Sequence, residues 1–181
     1  MGFLTKGKEK EKLFGSLFNK TTFSDEKTDI NEHWDLKIEY KVDVKSLKKI
    51  NRTDVYTNEF YHFIELKNVH GKLGWLYGEA DFFSFETNQY WIIVSKESLQ
   101  NLVKEKVTKI LVNNTDEALY CLYSRDGRSD VITLVKTLDL MFIATEVIEK
   151  VADIIENMPG DSIIPEKNIQ KKIKALLSKK E

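Results

Sequence analysis

The sequence predicts a mixed α/β domain on three observations. From residue 34 to 45 the chain alternates strictly between apolar and charged residues, which is the period of a strand with one buried face. Before it, Leu13, Phe14, Leu17 and Phe18 recur at helical spacing. Only eight glycines and two prolines interrupt the 181 residues, so we expect long elements and short loops.

The composition excludes several classes of protein. Hydrophobic residues make up 41% of the chain, too many for a disordered protein, and a charged fraction of 31% with a mean hydropathy of −0.39 excludes a membrane protein. The 28 basic and 29 acidic residues nearly cancel, so any nucleic-acid-binding surface must be local. A single cysteine, Cys121, and the absence of a readable targeting signal predict a cytoplasmic location.

The other elements follow from periodicity and turn residues. We predict helices over 8–20 and 96–106, a polar connection over 21–32, strands over 59–68, 82–85, 90–94 and 131–135, a short helix after the glycine-rich segment 71–78, a mostly helical stretch over 138–158 and a basic terminal helix over 165–180. Residues 1–181 then form one domain, with a core over about 8–135 and a C-terminal helical extension over about 138–181.

The alternating segment favours a hairpin or a sharp bend near residues 38–40, because single strands of that length are uncommon. If both arms turn their even-numbered side chains to the core, residue 34 pairs with 44 and residue 35 with 43. This register places Asp35 opposite Asp43 on the outer face, with Lys45 beside them.

Asp35, Asp43 and Lys45 are therefore the candidate catalytic residues. Two facing carboxylates can share a hard divalent cation such as Mg²⁺ or Mn²⁺, which prefers oxygen ligands. A lysine on the same face can activate water or stabilise the charge that develops on a phosphorane. These parts predict metal-dependent hydrolysis of phosphodiester bonds. The alternative is structural, because alternating charged residues on a strand usually form only a solvated face.

The tripeptide Asp43-Val44-Lys45, with Asp35 upstream, resembles the PD-(D/E)XK nuclease superfamily. In that superfamily an Asp at a strand end is followed by a (D/E)xK tripeptide on the next strand. The resemblance covers roughly residues 8–105 and implies an αβββαβ, restriction-endonuclease-like core around a mixed central sheet. It also implies an additional acid from the first helix, for which Glu9 and Glu11 are the counterparts.

Residues 74–82 and 90–94 are also similar to phage-type proteins of unassigned function that share this core. The sequence departs from the superfamily pattern in two places. No proline precedes Asp35, and the tripeptide has Asp43 where Glu is commoner. Apart from these departures, the resemblance to the superfamily predicts a Mg²⁺-dependent nuclease. The resemblance to the phage-type proteins predicts a phage source.

A second tripeptide of the same kind, Glu65-Leu66-Lys67, lies on the predicted strand 59–68. In this alternative the site consists of Asp43, Glu65 and Lys67, and Asp35 is peripheral. We prefer the first assignment because a hairpin brings its three groups together without a long loop. If the third strand pairs with the second, Glu65 and Lys67 line the same face in either case.

Basic and aromatic residues after the motif predict a nucleic-acid partner. The predicted phosphate contacts are Lys48, Lys49, Arg52 and Lys72, with Lys45 and Lys67 beside them. Trp75 and Tyr77 are the candidates for stacking on bases. A lysine-rich surface loop and two core aromatics are the alternative explanation of the same pattern.

The competing function is a non-catalytic protein that keeps the fold and acts on a host protein as an inhibitor or adaptor. It requires an exposed apolar patch, for which Leu140, Met141, Ile143 and Ile148 are the candidates. The same residues are candidates for a homodimer interface. An enzyme, in contrast, is expected to bind Mg²⁺ or Mn²⁺ at the carboxylates.

Overall fold

A computed structural model describes residues 3–18, 21–125 and 127–150. Its helices are α1 (Phe3–Gly15), α2 (Glu26–Glu32), α3 (Lys96–Lys106) and α4 (Thr137–Phe142). Its strands are β1 (Thr22–Phe23), β2 (Leu36–Lys37), β3 (Lys41–Lys45), β4 (Tyr61–Lys67), β5 (Phe82–Glu86), β6 (Tyr90–Ser95), β7 (Leu111–Val112), β8 (Leu122–Tyr123), β9 (Val131–Lys136) and β10 (Glu146–Glu149). Single 3₁₀ turns lie at Trp75–Tyr77 and Thr115–Glu117.

The strands form two mixed sheets. The central sheet has the order β1-β2-β3-β5-β6-β10, in which β3 and β5 are parallel and the other neighbours are antiparallel. The second sheet has the order β4-β9-β8-β7, with β7 and β8 parallel. The predicted mixed α/β class is therefore confirmed.

Apolar side chains cover both faces of the central sheet. On one face, Phe14 near the end of α1 and Phe18 just after it pack with Leu36, Val42 and Trp91. The other face packs against α3 and the second sheet, and its buried side chains include Phe83, Phe85, Ile92, Val94, Leu99, Ile64 and Val135. A polar side chain on either face of the central strands is therefore taken out of water.

Elements with strong local signals form where the sequence predicts them. Helix α3 spans residues 96–106, and Ser95 caps it by accepting a hydrogen bond from the backbone N–H of Ser98. Strands β4, β5, β6 and β9 match their predicted segments within two residues. The short helix after the glycine-rich segment is the 3₁₀ turn Trp75–Tyr77.

Two predicted segments near the N-terminus need correction, and two short strands form between residues 111 and 123. Helix α1 begins at Phe3 and ends at Gly15 rather than spanning 8–20. The polar connection 21–32 contains β1 and α2, because Asp25 accepts a hydrogen bond from Thr28 and starts a helix there. Strands β7 and β8 lie in a region for which we predicted no element.

The prediction that residues 138–158 are mostly helical is wrong for the described part. Helix α4 ends at Phe142, and residues 146–149 form β10 on the edge of the central sheet. Ile148 is aligned with Trp91 and buried, so burial of this side chain against β6 outweighs the local preference for helix. Residues 151–158 and the predicted terminal helix 165–180 lie outside the described residues.

The predicted hairpin register is confirmed in the two pairs that form, Leu36 with Val42 and Lys37 with Lys41. The arms are shorter than expected, because Asp35 departs from regular pairing and its side chain accepts a hydrogen bond from Val44 N. The prediction that Asp35 and Asp43 lie on an outer face is wrong. Their side chains are buried, with only 8% and 3% of each residue exposed, because both faces of the sheet are covered.

Gly74 places the 3₁₀ turn Trp75–Tyr77 against β4. A Cβ atom at this position would lie 2.7 Å from the carbonyl carbon of Glu65, which is backbone and cannot rotate away. The backbone N–H of Gly74 also donates to the carbonyl of Leu66 at 2.9 Å. The absence of a side chain therefore allows a close approach that no other residue permits.

Replacing Gly74 with alanine should lower the free energy of unfolding by about 1–3 kcal/mol, because the turn must move away from β4. Urea denaturation measures this loss. Gly7→Ala in α1 is the matched control, since its added Cβ meets only Glu11 Oε1 at 3.8 Å. That change should stabilise by about 0.5–1 kcal/mol through helix propensity. A Gly74→Ala variant as stable as the wild type would contradict the close packing.

Candidate active site

The β2–β3 hairpin and the parallel partner of β3 bring the acidic and basic groups together. In the β3–β5 pairing, Asp43 is aligned with Phe83 and Lys45 with Phe85. Aligned residues of neighbouring strands point to the same face, so Asp43 and Lys45 lie among aromatic side chains. Asp35 immediately precedes β2, one residue before the Leu36–Val42 pair.

Lys45 is held by a carboxylate and by an aromatic ring. Its Nζ lies 2.6 Å from Asp43 Oδ1 and 4.2 Å from the centroid of the Trp75 ring. The Trp75 ring packs in turn on Phe83, with 4.9 Å between ring centroids. The ammonium group therefore has a fixed position at the edge of the apolar layer.

The second oxygen of Asp43, Oδ2, is buried and has no hydrogen-bond partner among the described residues. A buried carboxylate oxygen without a donor is unfavourable, since it has lost its hydration without compensation. Such an atom at a cluster of charged groups is a position that a bound cation or a donor would satisfy.

Asp35 carries a strongly perturbed carboxyl group. Burial raises its pKa, and repulsion by the Asp43 carboxylate raises it further, to about 9. The attraction of Lys45 and the hydrogen bond from Val44 N act in the opposite direction without cancelling these effects. At neutral pH Asp35 therefore holds a proton when no cation is bound.

Two further carboxyl groups are coupled to this pair. Burial raises the pKa of Glu11 on α1, and Asp29 on α2 raises it further. Burial likewise raises the pKa of Asp29, and the Asp43 carboxylate adds to this effect. Of the two acids that the superfamily resemblance suggested on the first helix, Glu11 is the one that interacts with Asp43, whereas Glu9 is exposed.

The donor set fits one hard divalent cation held by two carboxylates. No group of three or more His, Cys, Asp or Glu side chains with the arrangement of a metal site occurs among the described residues. Asp35 and Asp43 supply oxygen ligands only, and Mg²⁺ commonly uses one or two carboxylates with water and phosphate oxygens. The repulsion between these carboxylates and the unpartnered Asp43 Oδ2 are both relieved by a bound cation.

A cleft of about 520 Å³ opens beside Lys45, between the end of β3 and the second sheet. Its basic lining residues are Lys45, Lys48, Arg52 and Arg125, and its aromatic ones include Tyr61, Trp75 and Tyr123. Lys48 is exposed at the rim of the cleft; desolvation by the surrounding protein atoms lowers its pKa, and the nearby Lys45 ammonium lowers it further. The acidic lining residues are Glu65 and Asp130, so basic groups outnumber acidic ones in the cleft although the whole chain is nearly neutral.

Only some of the predicted phosphate contacts belong to this cleft. All four side chains are exposed; Lys48 and Arg52 line the cleft, whereas Lys49 and Lys72 do not. Trp75 lines the cleft, but the exposed Tyr77 does not. The predicted stacking and phosphate-binding residues thus separate into a cleft group and a surface group.

The structure divides the second tripeptide: Glu65 lines the cleft beside Lys45, whereas Lys67 does not line it. Strand β4, which carries Glu65 and Lys67, belongs to the second sheet and pairs with β9 rather than with β3. Glu65 Oε2 accepts a hydrogen bond from Trp75 N at 3.3 Å, and Lys67 is exposed. The condition under which Glu65 and Lys67 would share the face of Asp43 is therefore not met.

Sequence reasoning missed two residues of the cleft wall, Asp130 and His62. Asp130 accepts hydrogen bonds from Arg125 through Oδ2, with 2.8 Å to Arg125 Nε, and its Oδ1 has no partner among the described residues. His62 is buried, and burial lowers its pKa to about 4. No local pattern could have identified them, because their grouping depends on the packing of distant segments.

Compared with known proteins, the chain matches no family model, and neither curated proteins nor solved structures give a significant match. The helices of the described residues include none with the length and apolar character needed to cross a bilayer. The geometry of the site and its chemistry are consequently the basis for a functional assignment.

Replacing Asp35 with asparagine should stabilise the protein, increasingly so as the pH rises from 5 to 8. In this range the native carboxyl keeps its proton while the unfolded one, with an ordinary pKa near 3.8, has lost it. The unfolded state then binds fewer protons, so rising pH lowers native stability, and the neutral amide removes this loss. By pH 8 we expect a gain on the order of 2 kcal/mol in thermal melts without metal.

The control is Asp25→Asn, at an exposed helix cap where asparagine is as effective as aspartate. Its effect should be small and independent of pH between 5 and 8. If Asp35→Asn instead destabilised the protein equally at pH 5 and at pH 8, Asp35 would be ionised in the native protein.

Proposed function

We propose that this protein is a metal-dependent nuclease that hydrolyses phosphodiester bonds at Asp35, Asp43 and Lys45. The observation that supports this proposal is the buried cluster of charged groups. It contains two mutually repelling carboxylates, an unpartnered Asp43 Oδ2, and Lys45 at the boundary of a basic cleft. Perturbed, partly unsatisfied ionisable groups beside a cleft are typical of functional sites.

Each residue has a definable task. Asp35 and Asp43 would hold Mg²⁺ or Mn²⁺, which supplies Lewis acidity toward the phosphodiester when bound. The Lys45 ammonium, fixed by Asp43 and Trp75, stabilises the negative charge that develops on the non-bridging phosphate oxygens. Water adds to phosphorus, the bond from phosphorus to the leaving sugar oxygen breaks, and that oxygen takes up a proton.

The cleft supports a nucleic-acid substrate in particular. Lys48 and Arg52 can contact phosphates on either side of the scissile one, which lies near Lys45 in this proposal. Aromatic lining residues offer stacking surfaces that suit any base. A small anion would need neither several spaced cations nor aromatic walls.

The resemblance to the PD-(D/E)XK superfamily supports the same function. Helix α1 precedes a hairpin whose first arm follows Asp35 and whose second arm carries Asp43-Val44-Lys45. The strand with the tripeptide lies in a mixed sheet next to a parallel neighbour. We propose that these elements are the αβββαβ core of that superfamily, with α1 supplying Glu11.

Titration calorimetry should detect binding of Mn²⁺ or Mg²⁺ to the wild type. We expect Asp43→Asn to weaken this binding at least about tenfold, because it removes one of two ligands and the charge that Lys45 balances. The exposed-site variant Asp25→Asn should bind like the wild type. Equal metal affinity in wild type and Asp43→Asn would remove the carboxylate pair as the metal site.

Cleavage of mixed DNA and RNA substrates tests the activity and the choice between the two tripeptides. We expect Mg²⁺- or Mn²⁺-dependent cleavage that Lys45→Gln reduces roughly a hundredfold or more, since it removes the charge next to the phosphate. Lys67→Gln is the matched control and should cleave like the wild type, because Lys67 lies outside the cleft. The reverse pattern would favour the second tripeptide, and no cleavage by the folded wild type would refute the nuclease.

A second candidate, a non-catalytic protein-binding role, is favoured by one observation. Phe60, Leu138 and Phe142 are exposed, and Thr137 N donates to the Phe60 carbonyl at 2.9 Å, which brings β4 and α4 together. Of the apolar residues predicted for this patch, Leu140 and Ile148 are buried instead. If the wild type neither binds metal nor cleaves, this surface becomes the site to test with a protein partner.

A further inference from the structure

The wall of the cleft contains two buried polar side chains that the catalytic proposal does not use. Asp130 is 1% exposed, and its Oδ1 has no hydrogen-bond partner among the described residues. His62 is also buried, and its Nε2 is likewise unpartnered within the described part of the chain. Both residues line the cleft, so a ligand that enters it can satisfy them.

Arg125 fixes the orientation of the Asp130 carboxylate. Its guanidinium donates two hydrogen bonds to Oδ2 alone, from Nε and from a terminal nitrogen. Oδ1 is thereby left as an acceptor in a defined position. A buried, oriented acceptor of this kind is suited to discriminate between ligands by their N–H donors.

The loop that forms the basic rim of the cleft is held in place by hydrogen bonds within the protein before any ligand binds. Within the loop that carries Lys48 and Arg52, Lys48 forms a backbone bridge with Asn58. Asn51 Nδ2 donates to Asp116 Oδ1 at 2.9 Å and so ties this loop to the 3₁₀ turn Thr115–Glu117. Binding therefore requires little ordering of the rim.

We propose that the cleft binds one unpaired nucleotide of the substrate strand and selects a base that carries an amino group. The phosphates lie at Lys45, Lys48 and Arg52, and the amino group donates to Asp130 Oδ1. This inference rests on the proposed function, since Lys45 belongs both to the catalytic cluster and to the cleft. It adds a substrate class, single-stranded nucleic acid, and a base preference.

The chemistry of the bases explains the expected selection. Adenine, cytosine and guanine carry exocyclic amino groups that donate to a carboxylate oxygen. Thymine and uracil present carbonyl oxygens at the equivalent positions, and the carbonyls on both sides of their single ring donor, N3–H, are repelled by a carboxylate. A cleft of about 520 Å³ accommodates a ligand of nucleotide size, whereas the bases of a duplex are paired and stacked.

Fluorescence anisotropy with labelled oligonucleotides tests the proposal on the wild type in EDTA, where cleavage cannot occur. Oligo(dA) and oligo(dC) should bind about tenfold more tightly than oligo(dT), the effect of one hydrogen bond to a charged group. Asp130→Asn, whose amide can also donate, should reduce this difference to about twofold. Asp25→Asn, at an exposed aspartate, should keep the full preference.

A comparison of adenine with purine, which has hydrogen in place of the amino group, needs no variant. The purine oligonucleotide should bind the wild type about tenfold more weakly than oligo(dA). This measurement tests the selection for an amino group even if Asp130→Asn does not fold. Equal binding of purine and adenine, or tighter binding of a duplex than of single strands, would overturn the proposal.

The two proposals fail in different experiments. A base preference in EDTA without metal-dependent cleavage by the wild type would contradict the nuclease and leave the nucleotide cleft in place. Cleavage without any base preference would contradict the cleft proposal and leave the catalytic site in place.

Discussion

The position of Lys45, between the Asp43 carboxylate and the Trp75 ring, is the interaction on which the candidate site depends. It exists because the face of β3 that the sequence pattern marks as solvated is covered by a second layer. Gly74 lets the turn with Trp75 approach β4, and Trp75 then packs on Phe83 above the ion pair. Covering this strand converts an ordinary exposed Asp–Lys pair, which contributes little in water, into an oriented charge in a poorly hydrated setting.

The central sheet region contains two buried carboxyl groups, Glu86 and Asp35, whose hydrogen bonds and charged neighbours differ. Burial raises the pKa of Glu86, but hydrogen bonds from Lys10, Lys150 and the backbone N–H of Leu47 outweigh it, so its pKa lies below the ordinary value. Glu86 is thus a satisfied structural anion that connects α1, β5 and the segment after β10. Asp35 receives one backbone hydrogen bond and faces another carboxylate, and its pKa rises to about 9. The sheet can therefore satisfy a buried acid fully, and this contrast supports the functional role that we propose for Asp35.

Local sequence signals predicted the elements well and their assembly poorly. The Ser95 cap, the alternation through residues 34–45 and the apolar runs of β5 and β6 identified α3, the hairpin register and the central hairpin. Strand β10 was predicted as helix, because its pairing with β6 and the burial of Ile148 are tertiary effects. Asp35, Asp43 and Lys45 could be grouped from the hairpin alone, but their burial could not, since it depends on Trp75 and the second sheet. Asp130 and His62 carried no local signal at all.

Although the total charge of the chain is close to zero, acidic and basic groups are separated around Lys45. On one side, Asp35, Asp43, Glu11 and Asp29 form a coupled group of carboxyls whose mutual repulsion a cation relieves. On the other side, Lys48, Arg52 and Arg125 line a cleft in which the acidic Asp130 is already paired with arginine. The first side would attract a cation and the second a phosphate, which is the division of charge that the proposed phosphodiester hydrolysis requires. Bulk composition averages these opposite charges to almost zero, which is why the charge count gives no indication of either side.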